Sequence, residues 1–90
     1  MATLMKVGEK PKHVEPKNGN DFKLEELWEL IGGYVQIVRL RNNEIMIVDE
    51  DGLPKGLPIN GEACRYVEAH CDYGHLIVGT ALICESREVE

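Results

Sequence analysis

No stretch of this 90-residue sequence holds 18 consecutive apolar residues, so a membrane-spanning helix is not expected. No basic segment runs into an apolar one at the start, so a secretory leader is not expected either. The setting this implies is cytoplasmic. Cysteines are few and odd in number, Cys64, Cys71 and Cys84, which points to free thiols in a reducing compartment rather than a disulfide scaffold. The tight C-x2-C pair typical of structural zinc sites is missing. A glycine-rich phosphate loop is missing as well: Gly32 and Gly33 follow a helix signal, whereas an anion site needs them before one. No internal repeat is present.

What is there is enough for one folded domain. The apolar share is 43%, which excludes disorder over the whole chain. A chain of this size buries only about 60–65% of its unfolded surface, so its core is thin and homodimer formation would help to stabilise it. The net charge is -6 and unevenly spread. Residues 1–23 hold five lysines and three acids, or +2; the remainder holds five basic residues and thirteen acids, or -8. That balance disfavours direct binding to nucleic acid, whose phosphates it would repel. It admits a basic partner or an acidic mimic of nucleic acid, and equally a merely solvated surface.

The strongest local signal lies in residues 24–50. Leu24, Leu27, Trp28 and Ile31 recur at helical spacing and form one apolar stripe, with Glu25, Glu26 and Glu29 opposite. Asn20 or Asp21 is the expected N-cap, and Gly32 and Gly33 close the helix in the left-handed conformation. Trp28 admits a ligand-stacking role, but its place on the stripe favours an anchor of helix to sheet. Residues 34–40 and 44–48 then read as a strand hairpin about a tight turn at Arg41, Asn42, Asn43 and Glu44. The second strand has apolar residues for both faces, as a central strand covered on each side would, or one at an oligomer contact.

Upstream, residues 2–7 and 10–16 are expected to form a short strand and a proline-bounded edge, paired as a hairpin. Downstream, residues 53–60 read as an ordered loop in which two Leu-Pro dipeptides force extended backbone at Leu53 and Leu57. Asn60 is placed to cap a helix over residues 61–70, in which Ala63, Tyr66, Val67 and His70 share a face. Residues 75–84 read as the last long strand, with Gly79 marking a bulge or a close backbone approach. Residues 85–90 are polar and expected to fray, leaving an ordered core of about residues 3–84. The fold class expected is α+β: a mostly antiparallel sheet of four or five strands packed on one main helix, with a second short helix on the loop side.

Four short motifs in order carry a resemblance: LWELIGGYV at residues 27–35, VDEDG at 48–52, GLPIN at 56–60 with Ala63, and GHLIVGTALI at 74–83. Together they resemble the small phage-type family called domain of unknown function 3846, over about residues 3–84. The resemblance implies a phage, prophage or mobile-element origin in a bacterial host, and it implies no catalytic residues. Asp49 stands where the family's usual text has Asn, which counts against a role needing an amide there. Residues 70–73 look like an insertion.

The residues admit three chemistries. Asp49, Glu50 and Asp51 offer carboxylates for a hard cation, but three consecutive acids at a strand end cannot face one point, and a solvated turn is favoured. Cys64, Cys71 and His75, with His70 nearby, are weak zinc candidates whose spacing a helix explains without metal. A Cys–His nucleophile pair is less favoured still, since a domain this small has little room for a shielded active site. No cofactor is expected. What remains is a partner- or ligand-binding surface on residues 49–60, using Asp49, Glu50 and Asn60 with Tyr34 and Tyr66 beside them; the alternative is that Leu53, Leu57 and Ile59 plug the core while Asn60 caps. The expected function is a non-catalytic accessory module acting on a host protein. The alternatives are an oligomeric sponge for a small nucleotide-like ligand, an acidic mimic and a metal-dependent enzyme.

Overall fold

The computed structural model describes residues 2–71 and 76–89. Five strands, β1 (Ala2–Met5), β2 (Lys12–Val14), β3 (Val35–Arg39), β4 (Glu44–Asp49) and β5 (Ala81–Glu85), form one sheet in the order β2-β1-β5-β4-β3. Every neighbouring pair is antiparallel. Two helices, α1 (Leu24–Ile31) and α2 (Gly61–His70), cover it. The chain is thus an α+β fold.

The pleat of β4 explains the layering. Successive side chains point to opposite faces, and all of Ile45, Met46, Ile47 and Val48 are buried. Ile45 and Ile47 join Leu4, Leu82, Leu27 and Ile31 on the α1 face. Met46 and Val48 join Ile83, Ala63 and Val67 on the α2 face. The sheet is therefore sandwiched, one helix to each face, and its apolar strands need no alternation with polar residues.

Local chemistry sets most element ends. Asn42 and Asn43 both take positive φ, 61° and 62°, as the primed turn of the β3–β4 hairpin requires. Gly32, at φ 95°, ends α1, and its N–H and that of Gly33 both donate to the carbonyl of Trp28. The α1 N-cap differs from expectation: it is Lys23, with no side-chain capping bond. Asn18 engages the segment instead, accepting from the Asn20 and Asp21 amides and donating to the Asp21 carboxylate. With its carboxylate so held, Asp21 is not available to cap.

Two further expectations are corrected. The last strand begins at Ala81 instead of residue 75, and His75 lies outside the described residues. Gly79 interrupts the run at φ 73°, a conformation that favours glycine whatever the space, and a Cβ there would also sit 2.7 Å from Leu57 Cδ1. Residues 86–89 take a defined place in the fold where a polar tail is expected. Ser86–Glu88 is a 3-10 turn, and the carbonyl of Glu88 accepts from the Phe22 amide at 2.6 Å.

Candidate functional site

The abrupt stop at Gly32 and Gly33 turns the chain back on itself within two residues. Trp28 and Tyr34 consequently meet edge to face, with centroids 5.5 Å apart and planes at 89°. Tyr34 precedes β3, which pairs with β4 so that Val35 lies opposite Asp49. The loop leaving β4 is thereby brought beneath the aromatic pair. Trp28, Gly33, Tyr34, Asp51 and Lys55 line one cleft of about 400 Å³.

Asp49 organises the floor of that region. Its carboxylate is buried and accepts from the Asp51 amide at 2.8 Å and the Lys55 ammonium at 2.8 Å. Burial alone would raise its pKa; the Lys55 and Asp51 donors outweigh burial and hold it below the ordinary value of 3.8. Lys55 is consequently pinned. A Cβ at Gly33 would stand 2.6 Å from the Lys55 nitrogen and 3.3 Å from Asp49 Oδ2, so glycine leaves the room that this pair occupies.

The five residues singled out in the sequence do not converge. Tyr34 lines the cleft, which Asp49 touches only through its ion pair with Lys55. The Glu50 amide donates to the Tyr34 carbonyl at 2.9 Å, and Glu50 shares with Asp49 a smaller cavity of about 150 Å³, lined also by Gln36, Val48, Leu53 and Leu76. Asn60 is buried: its Oδ1 accepts from the Ala63 amide, and its Nδ2 donates to the carbonyls of Met5 and Gly79. Tyr66 sits at the opposite end of β4, where its hydroxyl donates to Glu44 at 2.7 Å and its ring stacks on His70 at 3.9 Å.

Of the weak zinc candidates, the Cys64 thiol contacts the backbone of Ile77 and the Cys71 thiol the carbonyl of Arg39. Among the described residues no three His, Cys, Asp or Glu side chains gather as a metal site. The sequence pattern marks Gly33 only as a helix stop and Trp28 as an anchor of helix to sheet, and it does not single out Lys55.

The Tyr66 hydroxyl gives a testable pH dependence. Burial, then the bond to Glu44 and its charge, push the phenol from 10.0 up to about 12. A group whose folded-state value is raised stabilises fully below its unfolded value and loses that contribution as pH climbs through the folded one. Tyr66→Phe is expected to cost about 1.5–3 kcal/mol at neutral pH, the worth of one hydrogen bond to a charged acceptor. In denaturant melts the gap between wild type and variant should close between pH 10 and 12.

Compared with known proteins, residues 1–90 match a family model described as "Domain of unknown function (DUF3846)". No curated protein and no solved structure matches the chain.

Proposed function

We propose that this chain, which belongs to the DUF3846 family, is a non-catalytic binding module that engages a host protein through the Trp28–Tyr34 cleft. The cleft itself carries the reading. Tyr34 is 63% exposed and Trp28 half-buried, and they form a rigid aromatic corner over a fixed ion pair. Large side chains with few rotors, set beside placed polar groups, are the usual anchors of protein recognition. The origin we propose is a phage, prophage or other mobile element, with the protein acting in the cytoplasm of its bacterial host.

Two observations favour binding over catalysis. The Cys84 thiol is buried on the α1 face, and burial together with the Glu88 charge pushes it up to about 12, far from a reactive thiolate. The Tyr66 phenol, also near 12, is engaged with Glu44 and is not poised for proton transfer.

Affinity capture from host lysate on the tagged chain tests the reading. A partner held by wild type should be weakened at least about 30-fold by Trp28→Ala or Tyr34→Ala, the loss that hot-spot truncation brings. Tyr66→Phe, at the far end of β4, should retain it. Equal retention by all three variants would place recognition elsewhere. Native mass spectrometry of the same preparation addresses the sponge: a nucleotide-sized addition, stoichiometric with subunits, would replace the protein-binding reading.

A further inference from the structure

We infer that the Trp28–Tyr34 cleft receives a cationic side chain, the guanidinium or ammonium of an arginine or lysine on the partner. This rests on the cleft being the binding site and specifies what it binds.

Four features of the cleft agree on the sign of the charge. The first is the aromatic pair, since the face of an indole or phenol ring attracts a cation through its quadrupole. The second is the end of α1. The helix finishes at this cleft, its C-terminal carbonyls carry partial negative charge, and its last turn holds no basic residue to offset them. Third, the lining carboxylate of Asp51 is exposed, while its own backbone N–H is spent on Asp49.

The fourth feature is the state of Lys55, the one cation among the described residues that line the cleft. Its ammonium lies 2.8 Å from Asp49 Oδ2, and the Asp49 side chain is only 2% exposed. An anion that drew Lys55 away would strand a buried carboxylate, which is strongly unfavourable. Lys55 therefore neutralises the floor, and the pair presents no net positive charge to draw phosphate or carboxylate. With Asp49 and Lys55 cancelling, Asp51 and the helix end leave the cleft electronegative. A flat guanidinium or an alkyl-ammonium chain could lie against Trp28 with its charge toward Asp51.

Trp28 is the single tryptophan of the chain, so its fluorescence reports on this cleft alone. The folded protein should be titrated at low salt with N-acetyl-arginine amide and N-acetyl-lysine amide. N-acetyl-glutamine amide, N-acetyl-glutamate amide and inorganic phosphate serve as comparisons. The two cationic probes should give saturable changes with dissociation constants on the order of 1–10 mM, as expected for an isolated side chain. Asp51→Asn, an exposed change that spares the fold, should weaken them about fivefold, and added salt should do the same.

The inference is overturned if glutamine amide titrates as well as arginine amide, if phosphate binds more tightly than either cation, or if no cationic probe saturates. Should the probes fail while Trp28→Ala still loses a captured partner, the cleft stands as the binding site and its cationic selectivity falls.

Discussion

Asn60→Ala is expected to lower the unfolding free energy by about 3–5 kcal/mol, a large part of the 5–15 kcal/mol a domain of this size possesses. The side chain is 1% exposed and makes three hydrogen bonds with one amide. Its oxygen caps α2 through the Ala63 amide at 3.0 Å, and losing such a cap costs about 1 kcal/mol. Its nitrogen donates to Met5 in β1 at 3.0 Å and to Gly79 before β5 at 2.8 Å. Alanine would leave both carbonyls without that donor, at about 1–2 kcal/mol each. A thermal midpoint lowered by about 15–30 °C is the corresponding reading for a small domain. Asn60→Asp separates the roles, because a carboxylate can still cap yet cannot donate to two carbonyls. It should be at least as damaging as alanine near neutral pH. A near-native melt for either variant would show that the amide does not tie the strands to α2. Trp28 does not share this network, so cleft binding by the remaining folded fraction should be unchanged.

Where one residue type fixes a local geometry, the sequence reading was accurate. The α2 bounds, Gly61–His70, coincide with expectation because a capping asparagine marks the start. The β3–β4 turn followed from two asparagines able to take positive φ. The hairpin of β1 with β2 and the α+β class were likewise legible, since prolines and apolar runs constrain them.

The same reasoning failed wherever packing chose between two local options. The stripe of Leu24, Leu27, Trp28 and Ile31 left out Leu30, which packs against the α1-face core. Each residue advances about 100° around a helix. A face centred on Leu27, Leu30 and Ile31 therefore turns Trp28 about 100° away from the sheet, toward the cleft. Counting Leu30 would have exposed Trp28 as a surface aromatic from sequence alone. Lys55 offered no such clue: its meeting with Asp49, six residues earlier, depends on how the loop folds back, and no periodicity encodes that. Gly79 is similar, because its positive φ and the approach of Leu57 are set only in the folded chain.

Phe22→Ala is the second substitution expected to have a large effect, about 3–5 kcal/mol, as for a phenylalanine truncated in a closed core. Phe22 is the only phenylalanine of the chain and is fully buried on the α1 face. The segment that leads into α1 is locked to the C-terminal segment beside it: Phe22 and Val89 form a parallel bridge, and the Phe22 amide donates to Glu88. Val89 packs on the same core. Removing the ring should thus loosen both the start of α1 and the turn after β5. Truncation after Glu85 should reproduce part of the loss, because it removes the Glu88 carbonyl and the Val89 side chain while leaving the ring. Combining the two changes should cost less than their sum, since they act on one contact. Denaturant melts of wild type, the two variants and the combination give all four values. A truncation that costs nothing, or strict additivity, would mean the C-terminal turn is not part of the core. Trp28 fluorescence supplies the final discrimination. If α1 is held at its start by Phe22 and at its end by Gly32, loosening the start should leave the emission of the folded state, and its response to cationic probes, unchanged.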